Sequence, residues 1–290
     1  MSVRKEIMLM KTCDLHTHST CSDGTDTPAE LVKLAEQAGL SGIALTDHNT
    51  VKGLRAFLDA GKESSIVTVP GCEFSTDYGR TELHIVGLFL RERVWPQIEQ
   101  YAEQLHGGKK RSNEMLIERL RAAGYDITYA EAEAAAPDAD TFNRAHVAGL
   151  LQQKGYVRDR KEAFAALLHE NSGFYTPPAR PGALDTIAFI KEIGGAAVLA
   201  HPFQNLDAAR LAEFLPQAKA RGLDAIETKY SEFDAETTEA AAALAERFGL
   251  KQSGGSDYHG SVKPDIALGT GKGSLCVPFA FLEELRSSAG

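Results

Sequence analysis

Six histidines and three carboxylates in this chain lie close to apolar, β-like runs, and their side chains are the types that bind transition metals. His16 and His18, in Asp14-Leu-His-Thr-His18, stand at i and i+2, which puts both imidazoles on one face of an extended segment. Asp23 follows in a Ser-Asp-Gly turn. Thr46-Asp-His48-Asn49 comes after the apolar run Gly42–Leu45, and Gly71-Cys-Glu73 comes after the next run. His84 opens a fourth run and His201, in Ala-His-Pro202, closes a fifth. Asp257 and His259 repeat the i, i+2 spacing with a carboxylate and an imidazole. A lone histidine at a strand end is usually a hydrogen-bonded scaffold residue. So many titratable groups buried together without a metal would leave desolvation and repulsion uncompensated. A mixed imidazole and carboxylate set suits Zn, Mn or Fe and serves an all-oxygen Ca site poorly.

Other motifs carry less. Ser256, Asp257 and His259 are crowded into four residues and no Gly-x-Ser-x-Gly elbow exists, which argues against a serine nucleophile. Gly269-Thr-Gly-Lys-Gly273 could cradle a phosphate, but it opens no helix and reads better as a structural turn. Gly107-Gly-Lys109-Lys110-Arg111 lacks the Lys-Ser/Thr ending of a P-loop and reads as a solvated helix start. Arg144 and His146 begin a helix, a combination that suits either an anion or surface salt bridges.

These residues need strands to bring them together. Besides the runs at Gly42–Leu45, Ile66–Val69, Ile85–Leu90 and Ala196–Leu199, β-rich segments occur at Ala225–Glu227, around Leu250–Ser253 and over Lys11–Leu15. Between many of them stand amphipathic helices with readable ends. Thr27-Pro-Ala-Glu30 is a capping box with Pro at the first helical position, Leu31, Leu34, Ala35 and Ala38 share a face, and Gly39 stops the helix. Asp207 and Asp234 open two more, ending near Gly222 and Gly249. Strand–helix alternation predicts a mostly parallel α/β sheet, and seven units suit a closed barrel whose strand ends converge on one rim. From about Pro96 to Pro181 the pattern is helical only, at Ile98–His106, Lys110–Ala123, Ala130–Ala135, Asn143–Lys154 and Lys161–His169. Pro177, Pro178 and Pro181 mark the return to alternation. The expected organisation is a barrel over 11–96 and 182–290 with a helical insertion, a substrate cap, over 97–181.

The chain has 290 residues, 43% of them hydrophobic and 24% charged, which excludes a disordered class and provides for one sizeable core. Its net charge of −9 argues against a protein that grips duplex DNA through a basic face. The apolar run Ile7–Met10 is far short of the roughly 7–15 residues of a signal-peptide core, and no run nears the roughly 18 that span a bilayer. Cys13, Cys21, Cys72 and Cys276 are scattered and read as reduced thiols. A cytoplasmic protein without membrane association is expected.

Taken together, Asp14-Leu-His-Thr-His18, Thr46-Asp-His48, Gly71-Cys-Glu73, Ala200-His-Pro202 and Gly255-Ser-Asp-Tyr-His259 resemble the PHP superfamily, the polymerase and histidinol phosphatase family of metal-dependent phosphoesterases. A narrower likeness is to its bacterial branch with a helical insertion, which includes nucleoside-phosphate phosphatases and a 5′-to-3′ exoribonuclease. It rests on Asn143-Arg-Ala-His146, Gly194–Pro202 and Leu268–Gly273. The resemblance implies a distorted seven-stranded (β/α)7 TIM-like barrel with an inserted all-helical subdomain and two to three divalent ions (Mn, Zn or Fe). Carried over by position, His16, His18, Glu73 and Asp257 hold one ion, Glu73 with His84 and His201 a second, and Asp23, His48 and His259 a third. Asp47 orients His48 or a neighbour. The same likeness makes Glu73, Asp257, His201 and Arg144 the catalytic set, with Arg144 and His146 meeting the substrate phosphate. A metal-bridged hydroxide would then hydrolyse the phosphomonoester of a small nucleotide, a nucleoside monophosphate or 3′,5′-bisphosphate. The competing expectations are exoribonuclease action on short 5′-phosphorylated RNA, where Lys109, Lys110 and Arg111 are the obvious basic cluster, and histidinol-phosphate hydrolysis. An amidohydrolase also begins with His-x-His, but it would want a bridging lysine where Glu73 stands.

Overall fold

The computed structural model describes residues 11–136, 142–177 and 180–290, without the side chains of 104–107 and 109. The Ile7–Met10 run and Pro178 lie outside the described residues. Two compact units emerge, one formed by the segments up to Glu99 and from Pro181, the other by Gln100–Arg180.

The first unit is built on one sheet. Its strands are β1 (Thr12–Asp14), β2 (Gly42–Leu45), β3 (Val67–Tyr78), β4 (Thr81–Leu88), β5 (Ala196–Leu199), β6 (Ala225–Tyr230), β7 (Lys251–Gly255) and β8 (Val277–Pro278). They follow the order β7-β6-β5-β4-β3-β2-β1-β8. Just past their ends β1 and β7 meet. Leu15 N–H donates to Gly254 O (3.1 Å), Asp257 N–H to His16 O (2.9 Å) and His18 N–H to Tyr258 O (2.9 Å), so the sheet curls into a nearly closed barrel. Strands such as Ala196–Leu199 are buried at every position, as expected of strands covered on both faces. Cys13, Leu15, Ala44, Val86, Leu88, Val198 and Val277 pack into one core with Leu282 and Leu285 of the last helix. Each Val or Leu buried there contributes about 1.5–3 kcal/mol.

Three features differ from the reading above. An eighth strand, Val277–Pro278, pairs antiparallel with β1, and two residues are too few to show any alternation in sequence. The sheet is mixed, because β4 runs antiparallel to both β3 and β5. Tyr78 and Thr81 pair across Gly79-Arg80, with Gly79 at φ +67°, and a two-residue connection can only reverse the chain. Glu73 therefore lies inside a long strand rather than past its end, and His84 sits within β4 rather than opening it.

The helix signals locate their elements well. Thr27 caps Pro28–Gln37 through a full capping box, with Leu31, Val32 and Ala35 buried, while Ala38 is exposed beyond the helix end. Asp207 and Asp234 cap Ala208–Ala220 and Ala235–Phe248. The second unit has no strand among its described residues. The helix Trp95–Ala122 runs into it unbroken through Gly107-Gly108, where two helices were expected. Tyr129–Ala134, Arg144–Gln153 and Arg160–Ala163 follow, and a π-helical turn, Phe164–Leu168, takes the place of the expected helix end at His169. Leu116, Leu120, Ile127, Phe142, Val147, Leu151 and Leu168 form this unit's own core.

Barrel closure depends on close approach. A Cβ on Gly255 would overlap the Cβ and backbone nitrogen of His16. Gly255→Ala is expected to cost about 1–3 kcal/mol of stability, the range for overpacking a fitted contact. Chemical denaturation checks this, and an unshifted midpoint would count against so tight a seam.

Candidate metal centre

Glu73 is the hub. Its Oε2 lies 3.1 Å from His16 Nε2, 3.2 Å from His18 Nε2 and 3.1 Å from His48 Nδ1. Its Oε1 lies 2.8 Å from His84 Nδ1 and 3.2 Å from His201 Nε2. Five imidazoles from four segments of the sequence thus converge on one carboxylate. The backbone explains how. Glu73 N–H donates to Thr46 O (3.1 Å) and Asn49 N–H to Glu73 O (2.9 Å), which fastens His48 beside β3. Ala200 N–H donates to His84 O (3.0 Å), which brings His201 to β4. Because β4 is reversed, His84 reaches the common rim from the first half of its strand.

Asp257 and Asp23 complete the set. Asp257 Oδ1 lies 3.2 Å from His18 Nε2 and 3.4 Å from His259 Nδ1, and Asp23 Oδ1 lies 3.3 Å from His259 Nε2. The ligand atoms fall into three overlapping groups that could each hold an ion: His16, His18, Glu73 and Asp257; His18, Asp23, His48 and His259; and His48, Glu73 and His84. Every candidate ligand is thus in one constellation. Within it, His48 rather than His201 shares the tight group with Glu73 and His84, while His201 touches Glu73 Oε1.

The chemistry of these donors fits divalent ions. His16 Nε2, both ring nitrogens of His18, His48 Nδ1 and Glu73 Oε2 are buried without a hydrogen-bond partner. An unsatisfied buried polar atom costs about 1–3 kcal/mol, and these five belong to the three overlapping ligand groups, where an electrophile in each would satisfy them. In the ion-free chain protons partly fill that role. Burial opposes a charge on His16, but Glu73, Glu227 and Asp257 outweigh it and hold its pKa well above the usual imidazole value. The same balance against burial, set by Asp257 and Glu73, raises His18 to about 9, and Glu73 raises His84 to about 10. At His48 burial wins and the pKa falls to about 3. Glu73 and Asp257 are themselves penalised by burial, yet the surrounding histidines hold both well below the carboxylate range.

A ring of buried acids sets the ligands' orientation. Glu227, on β6, accepts from His16 Nδ1 (2.9 Å) through Oε1 and from the His201 backbone N–H (2.6 Å) through Oε2. Asp14 accepts from Ser256 N–H (2.8 Å), Ser256 Oγ (2.5 Å) and Gly269 N–H (2.8 Å), tying β1 to the segment that carries Asp257. Asp47 accepts from Ser19 N–H (2.7 Å), Ser19 Oγ (2.6 Å) and Ser22 Oγ (2.7 Å), so of the expected His48 or a neighbour it is the loop next to His18 that it holds. Burial raises the pKa of Asp14 and Asp47 alike. Asn49, His201 and Asp257 also adopt positive φ, an unfavourable conformation for residues with a Cβ, concentrated here beside the cluster.

Glu227 escaped the reading of the sequence. Its signal is a charged residue in the middle of an otherwise buried strand, AIETKY, where a carboxylate needs a buried partner. The Gly269–Gly273 segment is a turn, with Gly269 N–H committed to Asp14. All four cysteines are free. Arg144 and His146 belong to the helical unit. Arg144 Nη1 donates to Leu168 O (2.9 Å), and its guanidinium lies 4.1 Å from the Tyr175 ring centroid. His146 Nδ1 accepts from Asn143 N–H (3.1 Å), which leaves the proton of the neutral ring on Nε2. Lys110 and Arg111 are exposed, while the Lys109 side chain lies outside the described residues. No described helix is long and apolar enough to cross a membrane.

Known proteins resemble this chain in sequence and fold. A "5′-3′ exoribonuclease" of Haemophilus influenzae is 31% identical over 87% of this chain and 91% of its own. A "3′,5′-nucleoside bisphosphate phosphatase" of Chromobacterium violaceum is 29% identical over 86% of this chain and 88% of its own. A solved structure described as a putative metal-dependent phosphoesterase from Bifidobacterium adolescentis superposes with a TM-score of 0.82 at 27% identity, covering 97% of each chain. The family model described as the PHP domain matches residues 14–192, from the acid before the first histidine pair to the helix leading into β5. With most of the ligand set inside that match and relatives aligned along nearly their whole length, this chain belongs to the PHP domain family.

Proposed function

We propose that this chain hydrolyses the phosphomonoester of a small nucleotide, a nucleoside monophosphate or 3′,5′-bisphosphate, with two to three divalent ions of Mn, Zn or Fe. The observation that carries the reading is the sharing of Glu73 among five imidazoles, with orphaned donor atoms facing inward. The similarity to a nucleoside bisphosphate phosphatase supports the substrate class. When bound, such ions supply Lewis acidity toward a phosphoryl oxygen and draw the pKa of a water toward neutrality.

The chain's own residues prepare that chemistry. Glu73 presents one oxygen to each side of the cluster, so its single charge serves two ligand groups. Asp14, Asp47 and Glu227 lock the segments that carry the ligands, which removes the reorganisation that a flexible site would require. Side-chain exposure rises from 0% at His16 and His18 to 19% at His84, 24% at His48 and 30% at Asp23, so substrate enters from the Asp23–His48–His84 side. The buried side keeps water out and preserves the field of the charges. No protein nucleophile is required. Arg144 and His146 supply donors for the substrate's phosphate, since Arg has five N–H groups and His146 keeps a proton on Nε2.

Incubation with Mn²⁺ and a panel of adenosine 5′-monophosphate, adenosine 3′,5′-bisphosphate, histidinol phosphate and a 5′-phosphorylated tetraribonucleotide tests the reading by mass spectrometry. Inorganic phosphate from the nucleotides with intact RNA is expected. Stepwise release of mononucleotides would favour the second reading, a 5′-to-3′ exoribonuclease, which the Haemophilus relative supports. No turnover by a metal-loaded protein would remove both. Arg144→Ala should raise KM at least about tenfold with a smaller change in kcat, the loss of a charged hydrogen bond worth about 1.5–3 kcal/mol. An unchanged KM would exclude Arg144 from substrate binding.

A further inference from the structure

Asp257 is held through its second oxygen by Tyr230 and Lys263. Its Oδ1 faces His18 Nε2 (3.2 Å) and His16 Nε2 (3.7 Å). Its Oδ2 accepts from Tyr230 OH (2.9 Å) and from Lys263 Nζ (2.6 Å). Tyr230 is buried and its hydroxyl is oriented from both sides, because Gln204 Nε2 donates to it at 2.8 Å while it donates to Asp257. Its ring is fixed against His201 (5.4 Å between centroids) and Phe233 (5.2 Å). Asp257 itself sits at φ +54°, so its backbone is also tightly specified.

We propose that Tyr230 and Lys263 are positioning residues that occupy Oδ2 of Asp257, so that this carboxylate offers Oδ1 alone to the His16–His18 group. A carboxylate with two free oxygens can chelate an ion or rotate between them. Two donors on Oδ2 remove that option, and the Lys263 ammonium balances part of the negative charge that Glu73, Glu227 and Asp257 bring to one place. Tyr230 also joins the loop after His201 to Asp257 through Gln204, so two ligands from different strands share one support. The inference rests on the reading that His16, His18, Glu73 and Asp257 hold an ion.

Cobalt(II) binding to the full chain tests it with a readout independent of turnover. The Tyr230→Phe/Lys263→Met double variant preserves shape and should fold, as a melting curve of the ion-free protein will show. It is expected to bind Co²⁺ roughly 10–100-fold more weakly, the usual penalty for removing partners of a ligand. Its visible absorption band should shift, and kcat should fall with KM little changed. Lys263→Arg in place of Lys263→Met should restore most of the affinity. A double variant with the parent's affinity and spectrum, alongside an Asp257→Ala protein that has lost both, would overturn the clamp and leave the ligand assignment standing. An Asp257→Ala protein with the parent's spectrum would instead overturn the assignment, and the clamp with it.

Discussion

The Glu73→Gln protein is expected to fold, to carry markedly less metal and to lose roughly a thousandfold or more in kcat/KM, about 4 kcal/mol of transition-state stabilisation. Folding should survive because Gln has the same shape and because the backbone of residue 73 is held by Thr46 and Asn49, which the substitution leaves in place. Metal content should not survive. One charge now faces the ring nitrogens of His16, His18, His48, His84 and His201, and a neutral amide replaces it with a dipole whose NH₂ end repels a cation. The effect should exceed that of losing any single histidine, since no imidazole faces as many of the other ligands as Glu73 does. Elemental analysis after dialysis, phosphate release and a thermal melt separate loss of metal from loss of fold. Near-normal turnover would contradict a centre organised around this carboxylate.

Metal uptake by the stripped protein should release about three protons near pH 7.5, because an imidazole must be neutral to ligate. His16, His18 and His84 are the sources, since their pKa values stand above that pH in the ion-free chain, with His18 at about 9 and His84 at about 10. His48, at about 3, is already neutral and contributes none. The sign for stability follows. Raised imidazoles stabilise the ion-free fold below their ordinary value near 6.5, and that contribution disappears as pH climbs through about 9 to 10. Glu73 and Asp257, held low, stabilise it above the ordinary carboxylate range and cease to do so in strong acid. The stripped protein should therefore melt at falling temperature from about pH 6.5 to 10, whereas the loaded protein should weaken on acidification as protons compete for its ligands. A pH indicator in weak buffer counts the protons, and a count near zero would contradict imidazolium ligands awaiting metal.

Much of this centre was legible because its ligands obey local rules. His16 and His18, like Asp257 and His259, betray their shared face through a two-residue period, and the short apolar run Gly42–Leu45 makes its strand plain. The seam of β3 and β4 was not legible. Residues 75–82 read Ser-Thr-Asp-Tyr-Gly-Arg-Thr-Glu, polar enough to pass for a loop, yet they form a long hairpin whose partly covered edge positions tolerate them. The reversal that puts His84 on the common rim thus depends on pairing between strands, which no local pattern reports. Glu227 and Lys263 were missed for another reason. An acid in a strand acquires meaning only from His16, far away in sequence and adjacent in space, and a lysine in a loop only from the turn Gly260–Val262 that brings it back to Asp257.

The seam where β1 meets β7 also determines when the site can exist during synthesis. His16 and His18 are made early, yet their neighbours Asp257 and His259 emerge some 240 residues later. At about 5–20 residues per second, a nascent chain displays His16 and His18 for roughly 10–50 seconds before Asp257 and His259 arrive. Through that interval His16 lacks Glu227 and both early histidines lack Asp257, so the His16–His18–Glu73–Asp257 group is complete only once that late segment has docked. The route to the native state is accordingly one of high contact order, in which the docking of β7 with the loop beyond it and the gain of metal affinity are a single late event.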